Sequence, residues 1–285
     1  MKTKKTSNVN LFFGSSSSIG LNFLNLFKKK DFIFYTRSKI NQKNVNWKFL
    51  DLDKNINVAP NKANKVFFLA SPYYLKKNFK KSVYSREKNW LKKICSKIKS
   101  NVFIYISSSS VYQKNHLIGL EKLKCENYLK KKSNSKYLQI WRPFNILSNY
   151  HSKNLSDHFH NILIKEYLIG NKNHHMFRGS QNDTRAYSSA EKFCKFIYRK
   201  SSLKKNFVYD YGNSNAVTVK TILDIFKKSI DREIKYNFIS LKKDINIISK
   251  DKNINFINTR ENSSKLLKKY FDSYVDLNEK NQILQ

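Results

Sequence analysis

The strongest constraint on the fold is a loop rich in glycine and serine that separates an apolar run from an amphipathic segment. The loop runs from Gly14 to Gly20 with the sequence Gly-Ser-Ser-Ser-Ser-Ile-Gly. Leu11-Phe12-Phe13 before it predicts a buried parallel strand, and apolar residues at near-helical spacing over 19–27 predict a helix after it. Backbone amides and the positive end of a helix dipole meet at such a loop, so it favours phosphate binding.

The loop departs from a full glycine pattern at one place. Gly14 suits a tight turn, and Gly20 allows close packing of the helix on the strand, but Ser17 occupies the middle position. That side chain stands where a pyrophosphate usually approaches bare backbone. A serine-rich turn in an unrelated α/β protein is therefore an alternative interpretation of the loop taken alone.

A second apolar run, over 32–36, ends about 20 residues beyond the glycines at Thr36-Arg37-Ser38. An acidic residue there would select NAD, whereas a guanidinium with hydroxyls suits the 2′-phosphate of NADP; an arginine that only solvates the strand end is the alternative. Further strands predicted over 47–53 and 65–71 complete half of a doubly wound sheet. We predict an α/β fold, a Rossmann-type doubly wound parallel sheet with a smaller C-terminal substrate lobe.

The first loop is one of several motifs that occur in a fixed order along the chain. They are Gly14 to Gly20, Asp51-Leu52, Leu69-Ala70-Ser71, Ile106 to Tyr112, Gly119 to Glu126, Trp141 to Asn145 and Tyr211-Gly212-Asn213. This order, which extends to about residue 267, resembles that of extended short-chain dehydrogenases/reductases, the NAD(P)-dependent epimerase/dehydratase family. The resemblance implies a protein that epimerises, dehydrates or reduces a nucleotide-activated sugar in surface polysaccharide or sugar metabolism.

The resemblance also implies the ligand contacts, with NADP as the cofactor and NAD as second choice. The cofactor-binding residues it implies are Gly14, Ser16, Ser17, Ser18, Ile19, Gly20, Arg37, Asp51, Leu52, Leu69, Ala70, Ser71, Lys122 and Pro143. It implies Asn145 and Arg185 as substrate contacts, because a forked guanidinium offers paired donors to a diphosphate. A surface arginine is the alternative for Arg185.

A catalytic trio of serine, tyrosine and lysine is implied as well, and the chain keeps two of its members. The family pattern places the serine at Ser108 and the lysine at Lys122. Exchange of hydride with a hydroxyl or ketone needs an acid/base of tunable pKa, and a neighbouring ammonium stabilises a phenolate. The tyrosine position, four residues before the lysine, is Ile118, which can neither donate nor accept a proton.

Two nearby side chains are possible substitutes for the missing tyrosine. Tyr112 and His116 lie between positions 108 and 118, an interval of only ten residues that is shorter than the family usually has, and either could carry a proton. A solvated loop histidine is the alternative for His116. Tyr128 and Lys132 match the Y-x-x-x-K spacing, but too few residues follow for a crossover to the next strand, so we predict that Tyr128 lies on a helix face.

The predicted boundaries are a NAD(P)-binding domain over 1–147 and a mainly substrate-binding lobe over 148–285, with part of 181–215 returning to the sheet. Within the lobe we predict a helix over 155–170 and an amphipathic helix around residues 219–230. We interpret His174-His175 as a polar turn and expect no metal site. The family resemblance further implies a possible homodimer.

Composition bounds the remaining classes. The net charge of +36 could attract nucleic acid, but only eight of the 56 basic residues are arginine and the lysines occur throughout the chain. That spread indicates a compositional bias and solvated faces, so a nucleic-acid partner is disfavoured. No apolar stretch has the length of a membrane span, and Cys95, Cys125 and Cys194 are isolated, which favours reduced thiols in the cytoplasm.

Three functional classes follow from these observations. The first is a nucleotide-sugar epimerase, dehydratase or reductase that uses NADP and a substitute for the tyrosine. The second, motivated by Ile118, is a catalytically impaired NADP-binding sensor or scaffold. The third, motivated by charge alone, is a Rossmann-like RNA-binding protein.

Overall fold

The structure, a computed structural model, describes residues 9–28, 30–37, 43–54, 56–72, 85–113, 116–150, 159–169, 174–231, 235–239, 246–247 and 255–279. The chain divides into two compact units. The first comprises Met1–Pro143 and Glu191–Asp210, and the second comprises Phe144–Ala190 and Tyr211–Gln285.

Helices separate several of the strands in the first part of the chain, as crossovers between parallel strands often do. The strands are β1 (Asn10–Phe13), β2 (Phe32–Thr36), β3 (Trp47–Phe49), β4 (Lys62–Phe68), β5 (Lys99–Ile106), β6 (Ser135–Pro143), β7 (Ile146–Leu147), β8 (His174–Arg178), β9 (Thr184–Ala186), β10 (Ser188–Ser189), β11 (Phe207–Gly212), β12 (Ala216–Thr218), β13 (Lys235–Ile239), β14 (Asn246–Ile247) and β15 (Phe256–Asn258). The helices are α1 (Ser18–Phe27), α2 (Arg86–Lys97), α3 (Leu117–Lys132), α4 (Phe159–Ile169), α5 (Ala190–Lys200), α6 (Val219–Ile230) and α7 (Ser263–Glu279).

The main sheet of the first unit has the strand order β3-β2-β1-β4-β5-β6-β11. The pairs from β3 to β6 are all parallel. The order 3-2-1-4-5-6 is that of the doubly wound dinucleotide-binding fold, so the predicted fold class is confirmed. β15 lies in the second unit and pairs with the part of β11 that belongs to the same unit, where the Thr259 amide donates to the Gly212 carbonyl.

Aromatic side chains fill both faces of the three central strands. Phe12 lies opposite Phe34 and Phe67 in register, and its ring stacks on Phe23 of α1 at 4.5 Å between centroids. On the other face the ring of Phe13 stacks on Tyr35 at 4.9 Å. A parallel sheet is covered on both faces, so consecutive aromatic residues can be buried in one strand. This packing explains why the run before Gly14 is apolar without alternation.

The third and fourth strands end earlier than the sequence indicates. β3 stops at Phe49 because the Asp51 carboxylate accepts the Asp53 amide at 3.0 Å, which forms a turn of the kind that aspartate favours. β4 is shifted toward its N-terminus and ends at Phe68. The carboxyl ends of both strands therefore continue into loops at the edge of the sheet where β1 ends.

The second unit holds three small sheets, β10-β7, β12-β9-β14 and β13-β8, and a helical core. The amphipathic helix predicted around residues 219–230 is α6, whose apolar face is buried against α7. α4 occupies the described part of the helix predicted over 155–170, and residues 155–158 and 170 lie outside the described residues. The prediction of a polar turn at His174-His175 is wrong, since both residues belong to β8, which pairs in parallel with β13.

Candidate functional site

The loop between β1 and α1 is held so closely that two of its positions accept only glycine. Gly14 has a φ of 98°, and a Cβ atom there would lie 2.6 Å from the amide nitrogen of Ala70. A Cβ at Gly20 would lie 2.3 Å from the carbonyl oxygen of Gly14. These contacts bring the N-terminus of α1 against the end of β1 and place the Leu69-Ala70 backbone beside the same turn.

Ser17 closes the loop with its own hydroxyl. Its Oγ accepts the Gly20 amide at 3.0 Å and donates to the Gly14 carbonyl at 2.9 Å, so Ser17 is the N-cap of α1. Ser15 is buried, with its hydroxyl on the Tyr35 carbonyl, whereas Ser16 and Ser17 are exposed. The loop thus presents a polar, exposed surface at a helix N-terminus, and one of the helix amides is already occupied by the cap.

Arg37 leaves the end of β2 and joins a small cluster. Its Nη1 lies 3.7 Å from an Asp53 carboxylate oxygen, and its guanidinium lies 5.8 Å from the centroid of the Trp90 ring. The same carboxylate accepts the Trp90 indole N–H at 2.7 Å and is 3.1 Å from Nε of Arg86. About one third of the Arg37 and Asp53 side-chain surface is exposed, so solvent weakens this ion pair. Ser38, which follows Arg37, lies outside the described residues.

The other residues implied as cofactor contacts lie on the same edge of the sheet. Asp51 and Leu52 follow β3, and Leu69, Ala70 and Ser71 follow β4. Pro143 is the last residue of β6. Carboxyl ends of parallel strands form the ligand-binding edge of doubly wound sheets.

Ser108 uses its hydroxyl locally. It is the N-cap of a short 3-10 helix, Ser109–Tyr112, and its Oγ accepts both the amide and the hydroxyl of Ser110, at 3.1 Å and 3.0 Å. Gly119 packs against this turn so tightly that a Cβ would lie 2.0 Å from the Ser110 carbonyl oxygen. The start of α3, and with it the position of Ile118, is therefore fixed against the segment that carries Ser108.

His116 is the N-cap of α3. Its Nδ1 accepts the Gly119 amide at 3.2 Å, so the ring must be unprotonated at that nitrogen. Burial lowers the pKa of the His116 imidazole, which favours the same neutral form. A histidine held as a neutral acceptor by its own helix is a poor proton donor.

Lys122 makes a buried ion pair that the sequence does not reveal. Its Nζ donates to Glu87 Oε1 at 2.7 Å and to the Ile106 carbonyl at 3.3 Å. The exposed fractions of the two side chains are 7% for the lysine and 0% for the glutamate. The Tyr105 hydroxyl donates to the same Glu87 oxygen at 2.7 Å. Glu87 in α2 thus joins α3 and β5 through the lysine and the phenol.

Tyr112 belongs to a second polar network. Its hydroxyl donates to the Asp210 carboxylate, at 2.7 Å from the nearer oxygen, and accepts Nη1 of Arg142 at 2.7 Å. Arg142 in turn makes a bidentate pair with the buried Glu126, which also accepts the Ser107 hydroxyl. Burial raises the pKa of the Tyr112 phenol, and the hydrogen bond to Asp210 raises it further, against the opposite effect of Arg142.

Both residues implied as substrate contacts lie in the second unit. Asn145 has a φ of 33°, a left-handed conformation that asparagine tolerates, and its Nδ2 donates to the Ala186 carbonyl at 3.1 Å. Arg185 precedes that residue in the central strand of the β12-β9-β14 sheet, and its Nη1 donates to the Thr184 carbonyl at 3.0 Å. Burial lowers the pKa of Arg185. The structure therefore brings the Asn145 and Arg185 segments together.

The part of the chain that the structure describes contains no group of three or more histidine, cysteine or carboxylate side chains placed to hold a metal ion. Among its helices none combines the length and apolarity that crossing a membrane requires.

Sequence reasoning missed Glu87, Glu126 and Asp210, which hold Lys122, Arg142 and Tyr112 respectively. Glu126 could have been found, because it occupies the last position of a quoted motif and Arg142 starts another. Glu87 stands in a lysine-rich helix with no motif of its own, so nothing in the sequence marks it as the partner of Lys122.

No protein-family model matches this sequence, and no curated protein matches it either. Solved structures do. A UDP-N-acetylglucosamine 4-epimerase from Methanobrevibacter ruminantium, in complex with UDP-N-acetylmuramic acid, is 13% identical with a TM-score of 0.70, covering 94% of this chain and 98% of that one. A UDP-glucuronic acid 4-epimerase from Bacillus cereus, in complex with NAD, is 17% identical with a TM-score of 0.69, covering 95% and 97%.

A third neighbour is the Bordetella bronchiseptica enzyme WbmH in complex with NAD⁺, which is 10% identical with a TM-score of 0.68 and covers 96% of this chain and 99% of that one. Nearly complete coverage in both directions confirms the fold that the order of the motifs predicts, the fold of UDP-sugar 4-epimerases. At these identities the likeness establishes the fold and leaves the chemistry to the residues of this chain.

Proposed function

We propose that this protein binds a nicotinamide dinucleotide and a nucleotide-activated sugar, and that it does not transfer a proton through the tyrosine–lysine pair that its motifs otherwise resemble. The observation that supports the dinucleotide site most directly is the β1–α1 loop. Neither Gly14 nor Gly20 has room for a Cβ atom, and Ser16 and Ser17 expose polar groups at the N-terminus of α1. A tight loop before a helix N-terminus is suited to a pyrophosphate.

One residue of the loop, Ser17, changes what a bound phosphate would contact. Ser17 caps α1 and takes the Gly20 amide, so a phosphate would meet a hydroxyl where a glycine would leave the backbone bare. A hydroxyl can itself donate to a phosphate oxygen after rotating away from the Gly14 carbonyl. When bound, the nicotinamide ring supplies or accepts a hydride.

The proposal that ordinary proton transfer is lost rests on what surrounds position 118. Ile118 has no titratable group, and His116, two residues earlier, is the neutral cap of the same helix. Tyr112 is held between Asp210 and Arg142 with a raised pKa. Each titratable candidate near the start of α3 therefore already has a structural task.

We infer a preference for NADP over NAD from Arg37. Its ion pair with Asp53 is long, at 3.7 Å, and partly exposed, so a 2′-phosphate could replace the carboxylate as its partner. Trp90 lies beneath the guanidinium and would hold it in place. Two of the neighbours described above, the Bacillus cereus epimerase and WbmH, were solved in complex with NAD, so the inference of NADP rests on the residues of this chain alone.

For the substrate we propose a diphosphate grip by Arg185, with Asn145 beside it. A UDP-sugar is the natural probe, because one structural neighbour is a UDP-N-acetylglucosamine 4-epimerase in complex with UDP-N-acetylmuramic acid and another is a UDP-glucuronic acid 4-epimerase. A homodimer and a cytoplasmic location stay predictions.

The experiment that tests the proposed function separates binding from turnover. Purified protein is titrated with NADPH and a panel of UDP-sugars by calorimetry, and reduced nicotinamide is followed by absorbance in the presence of keto-sugar nucleotides. We expect binding of both ligand classes and no change in absorbance above a protein-free control. Turnover at a rate ordinary for an enzyme, about 1 per second or faster, would contradict the proposed loss of proton transfer.

A second candidate function is favoured by the position of Tyr112, a residue that is 49% exposed and lies on the same turn as Ser108. In this alternative the protein is an epimerase, dehydratase or reductase, and Tyr112 carries the proton. It predicts turnover in the assay above that Tyr112→Phe abolishes and Tyr128→Phe leaves unchanged. Turnover that survives Tyr112→Phe would exclude this role.

A further inference from the structure

Lys122 is the residue whose environment departs most from what its motif implies. The Lys122 ammonium donates hydrogen bonds to protein acceptors that include Glu87 Oε1 and the Ile106 carbonyl. The Nζ atom also lies 5.2 Å from the centroid of the Tyr105 ring. The positive charge is therefore directed into the interior, toward α2 and β5.

Only one of the two carboxylate oxygens of Glu87 accepts hydrogen bonds from the described residues, although both oxygens share the negative charge. Oε1 accepts both Lys122 and Tyr105, whereas Oε2 is buried and has no hydrogen-bond partner among the described residues. Buried carboxylates are retained when a cation compensates them, and removal of one partner leaves an uncompensated charge. The pair is thus a neutral unit whose two halves depend on each other.

Two neutral groups, the thiol of Cys125 and the phenol of Tyr105, also lie beside this ion pair. Cys125 is fully buried beside it, and burial, followed by the nearby Glu87 carboxylate, raises the pKa of the thiol to about 12, so the thiol is neutral. Tyr105 is fully buried, and its hydroxyl donates a hydrogen bond to Glu87. The glutamate is therefore the partner that matches the lysine.

We propose that Glu87 is a positioning residue that holds the Lys122 ammonium inside the protein and withholds its charge from the neighbourhood of position 118. Two features then separate this site from one that could activate a phenol: the absence of a tyrosine at 118 and the commitment of the lysine to Glu87. Restoring the tyrosine alone does not restore the site. The inference concerns the free protein and does not depend on ligand binding.

The first test measures how readily each lysine amine reacts. The full chain is treated with limiting acetylating reagent, and modification at Lys122 and Lys124 is quantified by tandem mass spectrometry. Lys124 is the internal comparison, because it pairs with Glu121 at 2.6 Å yet its side chain is 61% exposed. We expect Lys122 to react at least about tenfold more slowly than Lys124, since it is buried and paired.

Glu87→Gln separates the ion pair from burial. It keeps the size of the side chain and removes its charge, and we expect the rate at Lys122 to rise by about tenfold while Lys124 is unchanged. Glu121→Gln, the matched control on α3, should leave Lys122 unchanged. If Glu87→Gln leaves Lys122 as slow as before in a folded protein, burial alone protects the lysine and the proposal is wrong.

The second test introduces the missing phenol and remains informative if Glu87→Gln does not fold. Ile118→Tyr is titrated by the ultraviolet absorbance of phenolate, with Ile118→Phe as the reference that subtracts the 17 native tyrosines. We expect the introduced phenol to titrate near the ordinary tyrosine value of about 10 or above it. A value lower by more than about one unit would show that the Lys122 charge reaches position 118, which would overturn the proposal.

Discussion

Replacement of Gly20 by alanine tests whether the tight β1–α1 loop is the dinucleotide site. A Cβ at this position would lie 2.3 Å from the Gly14 carbonyl oxygen and 2.9 Å from the Ser15 backbone. Contacts of this kind normally begin near 3.4 Å, so the start of α1 must move by about 1 Å. The obstructing atoms are backbone atoms, which cannot rotate away.

The stability effect of Gly20→Ala is a balance of two opposing terms. Overpacking of a well-packed site costs about 1–3 kcal/mol. Alanine in place of glycine within a helix returns about 1 kcal/mol. We therefore expect the free energy of unfolding, measured by chemical denaturation, to fall by about 2 kcal/mol or less, so that the variant remains folded.

The binding effect should be larger than the stability effect suggests. A hydrogen bond to a charged phosphate is worth about 1.5–3 kcal/mol, so misplacing one loop amide weakens dinucleotide binding by about tenfold to a hundredfold. Calorimetric titration with NADPH measures this change. Gly212→Ala is the matched control, because its Cβ would meet the Phe144 side chain at 3.1 Å in the second unit. A folded Gly20→Ala protein that binds NADPH within twofold of wild type would refute the assignment of the loop.

Three further predictions concern the groups around α2 and α3. Burial lowers the pKa of the His116 imidazole, so the unfolded chain binds a proton there more readily than the folded chain does. The free energy of unfolding, measured by chemical denaturation, should therefore decrease as the pH falls below about 6.5. His116→Asn, which keeps a cap, should make the free energy of unfolding less dependent on pH in this range. Glu126→Gln removes the charge of the buried carboxylate and leaves the partly buried Arg142 without its bidentate partner, so it should lower the free energy of unfolding by about 3–5 kcal/mol; a loss below 1 kcal/mol would contradict the ion-pair account. Lys93 donates to three successive carbonyls, at 2.7–3.0 Å, so Lys93→Met should cost about 1–3 kcal/mol in thermal or chemical unfolding, whereas the exposed Lys92→Met should cost almost nothing.

The sequence predicts the first unit well because its signals are local. The aromatic runs ending at Phe13 and Phe68 are buried on both faces, as apolar runs without alternation require in a parallel sheet. Gly20 is fixed by contacts with Gly14 and Ser15 in the same loop, and Gly14 by contacts with the Leu69-Ala70 backbone just after β4, the strand that pairs with β1. The ends of the strands are less predictable from the sequence, because the turn after β3 depends on one side-chain hydrogen bond at Asp51.

The interior of the candidate site could not be predicted in the same way. Lys122 is recognisable from its motif, but its partner Glu87 is 35 residues away in the chain. Glu87 lies in a helix with several lysines, so the sequence gives no sign that it pairs with Lys122. Which of many cations a buried carboxylate meets is decided by packing of α2 against α3, and a single sequence holds no record of that contact. The roles of Ser108 and His116 as caps are likewise visible only once the backbone is known.

The measurement that tests the central claim most directly is a calorimetric titration of the full chain with NADPH and NADH, on wild type and Arg37→Asp. The account predicts that both dinucleotides bind, that NADPH binds more tightly, and that Arg37→Asp weakens NADPH by at least about tenfold more than NADH. Arg86→Ala, which removes the other guanidinium near Asp53, should not change this selectivity. If neither dinucleotide binds the folded protein, the loop from Gly14 to Gly20 does not hold a dinucleotide and the proposed function is wrong.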